Sequence, residues 1–154
     1  MELLRQLDEE ATKRNAQIKL SSYRQQKSYA NAPISPRITA GYGDGGSVST
    51  APRPEYPEEQ LILAEQGSKY CGWIDWAVNS CRKYKYRELL KIVYCEGYEE
   101  DHGYYMDKLA QRLDKYDLSS STYFKWYDAA LLDVAERLNC QIFKQDNEDI
   151  KKVE

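Results

Sequence analysis

The stretch MDKLAQRLDKYDLSSSTYFKWYDAALLDVAERL, residues 106–138, decides the fold. Its first part repeats apolar residues at intervals of three and four, which predicts a helix with one buried side: Met106, Leu109, Ala110 and Leu113. The polar residues fall on the other side: Lys108, Gln111, Arg112 and Lys115. The turn that follows has only three residues, Tyr116, Asp117 and Leu118. A turn of this length predicts a helix-turn-helix.

The second helix of this motif begins after Ser119, whose hydroxyl can accept a hydrogen bond from the amide of Ser121 or Thr122. Its apolar residues predict the buried side: Tyr123, Tyr127 (or Trp126), Ala130, Leu131, Val134 and Leu138. The outer face of its first two turns then carries Ser120, Ser121, Phe124, Lys125 and Asp128. On period alone, the pattern favours an ordinary bundle of two amphipathic helices over a DNA-binding motif.

If the motif is a DNA-binding one, its second helix enters the major groove and its first helix braces the backbone. The residues that we expect to read bases are Ser120, Ser121, Phe124 and Lys125, next to the cap at Ser119. Lysine can reach a guanine edge or a phosphate, and phenylalanine can contact a thymine methyl group. Lys108, Arg112, Lys115 and Thr122 are expected to position the phosphate backbone, with Arg82, Lys83 and Lys85 as auxiliary contacts.

The segment LSSSTYFKW at residues 118–126, followed by ALL, resembles the C-terminal part of the phage late-transcription regulators of the ArpU/RinA family. That part is itself similar to the fourth region of bacterial sigma factors. The resemblance extends to MELLRQLDEEATKRN at the start of the chain, YRQQK at 23–27, IDWAVNSC at 74–81 and YRELLKIVYCEG at 86–97. The chain departs from the family pattern at Tyr123, where a small aliphatic residue is expected, at Lys125, and in a tyrosine-rich insertion at 98–105.

This resemblance implies a function and a compartment. It implies an activator of late genes that binds promoter DNA, works with the host RNA polymerase and resides in the bacterial cytoplasm. An exposed acidic loop at 96–102 is one place where a basic partner could dock.

Composition is compatible with a soluble protein that has a modest aromatic core. The chain has 154 residues, a mean hydropathy of −0.80, 14 tyrosines and 3 tryptophans. No run approaches the roughly 20 apolar residues of a membrane span, and no signal-peptide core is present. The net charge of −3 counts against nucleic-acid binding. However, residues 69–91 hold six basic and two acidic residues, a local net charge of +4.

No set of residues indicates a metal site, a cofactor or catalysis. The four cysteines, Cys71, Cys81, Cys95 and Cys140, form no CxxC pair, so we expect reduced thiols in the core. The single histidine, His102, lies beside three acidic residues in a glycine-flanked loop that is predicted to be solvent-exposed. A nucleophile with a matching base and orienting group is not found, which predicts a protein that is not an enzyme.

The chain divides into four segments. Residues 1–31 predict a helix that packs on the bundle or, as we favour, on a second copy, through Leu4, Leu7, Ala11 and Ile18. Residues 32–54 are rich in glycine and proline and predict a flexible linker. Residues 55–140 predict the helical domain, in which a helix at 86–96 is closed by Gly97. Residues 141–154 predict a polar tail. The alternative to a DNA-binding regulator is a non-catalytic helical module that binds another protein.

Overall fold

The computed structural model describes residues 5–33, 57–115 and 117–144. In these ranges the chain forms six α-helices and one π-helical segment, and no strand, which confirms the predicted all-α fold. The helices are α1 (Glu9–Ser21), α2 (Tyr23–Asn31), α3 (Pro57–Asn79), α4 (Tyr84–Leu90), α5 (His102–Arg112) and α6 (Ser120–Arg137). The π-helical segment, Lys91–Cys95, continues α4. All but the first two residues of the predicted linker lie outside the described ranges, and no described helix is long and apolar enough to span a bilayer.

The N-terminal segment forms two helices where the sequence predicted one. The side chain of Asp8 caps α1 by accepting a hydrogen bond from the amide of Ala11 at 3.1 Å. The chain then changes direction at Ser22. Helix α1 packs on α6, and α2 packs on α3.

The buried side of α1 is not the one that the apolar residues predicted. Thr12, Ala16 and Leu20 are fully buried, whereas Ile18 is 63% exposed. Leu4 lies outside the described residues. Thr12 can be buried because its hydroxyl donates to the carbonyl of Ile142 at 3.1 Å and accepts from the amide of the same residue at 2.9 Å. The buried side of α1 therefore contacts its own chain and is not available to a second copy.

Helix α3 continues through Gly67 and ends at Asn79. Gly67 lies against α2. A Cβ atom at this position would lie 2.5 Å from the carbonyl oxygen of Gln26 and 3.1 Å from the amide nitrogen of Ala30. Glycine is therefore what allows α2 and α3 to pack at this distance.

Helix α4 passes directly into the π-helical segment, which ends before Gly97, a residue with a φ of +60°. The sequence predicted this end at glycine. The guanidinium of Arg24, on α2, donates to the carbonyl oxygens of Val93 at 2.8 Å, Glu96 at 3.0 Å and Gly97 at 3.2 Å. A cation at a helix C-terminus satisfies carbonyls that have no intrahelical partner.

Helix α6 lies at the centre of the bundle and packs on α1, α4 and α3. Every residue of its predicted apolar side is buried. Two residues after the last residue of α5 and of α6, the chain has a residue with positive φ, Asp114 and Asn139 respectively. In each case the next amide bonds to a carbonyl five residues back, Lys115 to Ala110 and Cys140 to Ala135, which is the Schellman arrangement.

The first residues of the predicted polar tail, 141–144, are held against the N-terminal segment. Leu7 and Phe143 form an isolated antiparallel bridge. The amide of Asp8 donates to the carbonyl of Ile142 at 2.8 Å, and the side chain of Asn15 donates to the carbonyl of Cys140 at 3.0 Å. Residues 141–144 therefore pack on their own chain, while residues 145–154 of the predicted tail lie outside the described residues.

Candidate nucleic-acid interface

The first turns of α6 have the cap that the sequence predicted. The Oγ of Ser119 accepts a hydrogen bond from the amide of Thr122 at 3.2 Å and donates one to the Oγ1 of Thr122 at 2.8 Å. Ser119, Ser120 and Ser121 are exposed, and Thr122 is half-buried. Because Ser119, Ser120 and Ser121 have small hydroxyl side chains, another molecule can approach this end of the helix closely.

Phe124 and Lys125 lie on the outer face of the same helix, as predicted. Lys125 is exposed, and Phe124 is 41% exposed. The ring of Phe124 makes edge contacts with the rings of His102, at 5.2 Å between centroids, and Tyr123, at 5.0 Å. One face of Phe124 is therefore fixed by the protein while the other remains open.

Four lysines from three parts of the fold gather beside α6: Lys83, Lys85, Lys115 and Lys125. We call them the lysine cluster. The Nζ atoms of Lys85 and Lys115 lie 4.4 Å and 5.1 Å from the centroid of the Trp126 ring. Burial, and then the charges of Lys83, Lys115 and Lys125, lower the pKa of Lys85 below its ordinary value. The cluster thus joins the start of α4, the turn after α5 and the outer face of α6.

The lysine cluster has no acidic partner within ion-pair distance in the described parts of the chain. Like charges that lie together disfavour each other's charged forms and raise the energy of the folded state. A bound anion removes that repulsion. Trp126 is nearly buried, and its ring supports the ammonium groups of Lys85 and Lys115.

Two of the predicted phosphate contacts are engaged elsewhere. The guanidinium of Arg112 donates to Oε2 of Glu88 at 3.0 Å and to both carboxylate oxygens of Glu96, at 3.0 and 2.7 Å. The Nζ of Lys108 lies 4.0 Å from Glu96. The hydrogen bond from Arg112 lowers the pKa of Glu96 and raises that of Arg112. Arg112 and Lys108 therefore serve this ion-pair network, and we do not count them among the proposed backbone contacts.

Arg82 also stands apart from the lysine cluster. Its amide donates to the carboxylate of Asp133 at 2.9 Å. Arg82 lines an open groove of about 320 Å³ together with Lys83, Asp133 and Glu136. The groove therefore carries charges of both signs.

The tyrosine-rich segment 98–105 supplies a contact that sequence reasoning missed. The Nδ1 of His102, at the start of α5, lies 2.9 Å from the hydroxyl of Tyr123, and its ring makes edge contacts with Tyr105, Phe124 and Tyr127. Burial raises the pKa of Tyr123. His102 thus anchors the first turns of α6, and Asp101 caps α5 by accepting from the amide of Tyr104 at 2.8 Å. The aspartate directly before the helix was the available signal.

The four cysteines are free thiols; Cys71, Cys81 and Cys140 are buried, and Cys95 is half-buried. Burial raises the pKa of Cys81 and of Cys95 to about 12, so neither is a nucleophile near neutral pH. Among the described residues, no group of three or more histidine, cysteine, aspartate or glutamate side chains is placed to hold a metal ion.

Comparisons with protein-family models, with curated proteins and with solved structures found no match to this chain. The function of the protein is therefore inferred from the geometry of this site and from the sequence resemblance described above.

Proposed function

We propose that the protein is a sequence-specific, DNA-binding regulator of transcription. The observation that carries this proposal is the lysine cluster, which has no acidic partner among the described residues and lies beside the exposed, serine-capped turns of α6. Basic side chains that neutralise phosphates supply much of the affinity of such proteins, and a helix end with small hydroxyl groups fits the floor of the major groove. The net charge of −3 is not an obstacle, because the positive charge is concentrated at one place.

In this proposal the N-terminal turns of α6 enter the major groove. Ser120, Ser121 and Phe124 approach base edges, and Lys125 contacts a guanine or a phosphate. The other three lysines of the cluster hold the sugar–phosphate backbone on one flank of the helix. The bracing contacts thus come from the start of α4 and from the turn after α5, and not from the body of α5.

The resemblance to phage late-gene regulators gives the proposal its biological setting. We infer that the protein activates late genes in the bacterial cytoplasm and acts with the host RNA polymerase. The exposed acidic residues Glu99 and Glu100, in the segment before α5, are the surface that we assign to a basic partner of this kind.

The proposal is tested by the salt dependence of binding to duplex DNA. A duplex is first selected from a random-sequence pool. If each lysine of the cluster neutralises one phosphate, the slope of log K against log salt is about −3.6, since each phosphate contributes about −0.9. The double variant Lys85→Gln/Lys115→Gln is expected to reduce the slope to about −1.8. Lys108→Gln, on the ion-pair network, is the matched control and leaves the slope unchanged.

A single substitution tests base reading. Lys125→Ala is expected to weaken binding to the selected duplex by about 1–3 kcal/mol if the lysine pairs with a guanine. An equal loss on random DNA would reduce Lys125 to a phosphate contact. If no duplex binds in a salt-sensitive manner, the DNA-binding proposal fails. The non-catalytic interaction module then becomes the better interpretation, and the exposed aromatic residues Tyr84, Tyr98 and Tyr104 are the observation that favours it.

A further inference from the structure

One face of α3 exposes large apolar side chains. Leu61, Ile62 and Trp76 are 48%, 52% and 58% exposed. Glu65, Lys69 and Gly72 lie between them, at intervals of three and four residues, so all six residues fall on one side of the helix. We call these six residues the α3 face. The opposite side of the helix, with Gly67 and Ile74, is buried in the bundle.

We propose that two copies of the chain pair through the α3 face, with the two α3 helices antiparallel. Large apolar side chains that are exposed along one side of a helix indicate an interaction site, and a two-fold pair is the commonest form of self-association. The proposal does not depend on the DNA-binding function, although a two-fold pair would present two copies of α6 to a symmetric site.

Charge complementarity favours a second copy as the occupant. Glu65 and Lys69 are exposed, lie one turn apart, and make no ion pair within the described residues. A two-fold axis at the level of residue 67 places Glu65 opposite Lys69 of the second copy, and Lys69 opposite Glu65. A parallel pair in register would place like charges together. The order of the two charges along the helix therefore selects the antiparallel arrangement.

The same register accommodates the apolar side chains. It places Ile62 opposite Gly72 of the second copy, where a Cβ atom would have no neighbour within 4 Å. Leu61 then lies one turn from Trp76 of the second copy, within reach of its ring. Each copy thus offers a large side chain where the other has open space.

The size of the face sets the expected strength. From Leu61 to Trp76 the helix rises about 22 Å. One helix pair of this length buries less than the roughly 800 Å² per partner of a standard interface. We therefore expect an equilibrium between monomer and dimer that depends on protein concentration, and not a permanent dimer.

Sedimentation velocity of the full chain over a range of micromolar concentrations tests the pairing. The native chain is expected to shift from monomer to dimer as concentration rises, and Trp76→Glu is expected to stay monomeric. Ile18→Glu, an equally drastic change at an exposed apolar residue of α1, is the matched control and is expected to dimerise like the native chain. A native chain that is monomeric at every concentration overturns the proposal, whether the α3 face is open or covered by another segment of the same chain.

A charge exchange tests the register. Glu65→Lys and Lys69→Glu are each expected to weaken the dimer about tenfold, because each variant brings two pairs of like charges together. An equimolar mixture of the two variants restores opposite charges at both contacts and is expected to dimerise like the native chain. If both variants keep the native far-UV circular dichroism but the mixture does not associate, the antiparallel register is refuted. DNA affinity measured on the monomeric Trp76→Glu variant reports separately on the proposed function.

Discussion

Helix α3 contains two glycines, and the structure predicts opposite effects for the same substitution at each. At Gly67 a methyl group would lie 2.5 Å from the backbone oxygen of Gln26. Helix α2 cannot move away freely, because the hydroxyl of Tyr23 donates to Asp75 on α3 at 2.8 Å. Overpacking of this kind costs about 1–3 kcal/mol, from which a helix-propensity gain of about 0.5–1 kcal/mol is subtracted. We expect Gly67→Ala to lower the free energy of unfolding by about 1–2 kcal/mol.

Gly72→Ala is the matched control in the same helix. A Cβ atom at residue 72 meets nothing within 4 Å, so only the propensity gain remains, and stability is expected to rise by about 0.5–1 kcal/mol. Urea denaturation followed by far-UV circular dichroism measures both, at a concentration low enough that self-association does not contribute. For m-values of about 1–3 kcal/mol/M, the two midpoints should differ by about 1 M. A Gly67→Ala variant as stable as the native chain would show that the contact between α2 and α3 is not as close as described.

Two further predictions concern the charged contacts that hold the helices together. Arg24→Gln removes the cation that donates to three carbonyls at the end of the π-helical segment, and we expect a loss of about 2 kcal/mol, or about 4–8 °C in Tm. Arg14→Gln, exposed on α1, is the control and should have little effect. The second concerns Glu96, whose pKa in the folded chain is lowered by the hydrogen bond from Arg112. A carboxyl group whose pKa is lowered by folding stabilises the fold at pH values above its pKa in the unfolded chain, near 4.5. This contribution is lost as the pH falls through the pKa of the folded chain. Thermal unfolding between pH 6 and pH 3 should therefore show the native chain losing more stability than Glu96→Gln, and parallel curves would contradict the assignment.

Helix α6 could be predicted almost completely from the sequence. Its start depends on a serine that bonds to an amide three residues later, and its buried side depends on residues three and four positions apart. Both are local properties. The outward placement of Ser120, Phe124 and Lys125 follows from the same periodicity, so the exposed face of the candidate site was predictable too.

The interpretation of α1 failed because it depended on distant residues. A polar residue, Thr12, occupies the centre of the buried side, since both hydrogen bonds of its hydroxyl are made to Ile142, 130 residues away. An apolar residue, Ile18, is left on the surface. The hydrophobic pattern alone predicts that Ile18 is buried and Thr12 is exposed. The observed order is the opposite, because the backbone of a distant residue satisfies the hydroxyl of Thr12.

The basic residues show the same limit. Along the chain, Arg112 and Lys115 look equivalent, because both lie on the polar side of α5 or just beyond it. In the fold, Arg112 meets Glu88 and Glu96, which lie 24 and 16 residues earlier, whereas Lys115 lies with Lys85 over the ring of Trp126. Which cation is available to a ligand therefore depends on the acidic residues that folding brings to it.

Tyr123 and His102 support each other through one contact beside the exposed face of α6. Tyr123 is fully buried, and its hydroxyl lies 2.9 Å from the Nδ1 of His102, in the tyrosine-rich segment 98–105. A small aliphatic residue at 123 would leave a cavity beside the histidine and remove its hydrogen-bond partner. Without His102, in turn, the buried hydroxyl of Tyr123 would lose this partner. Both rings also contact Phe124, so the pair holds one side of the Phe124 ring and leaves the other on the open face of α6.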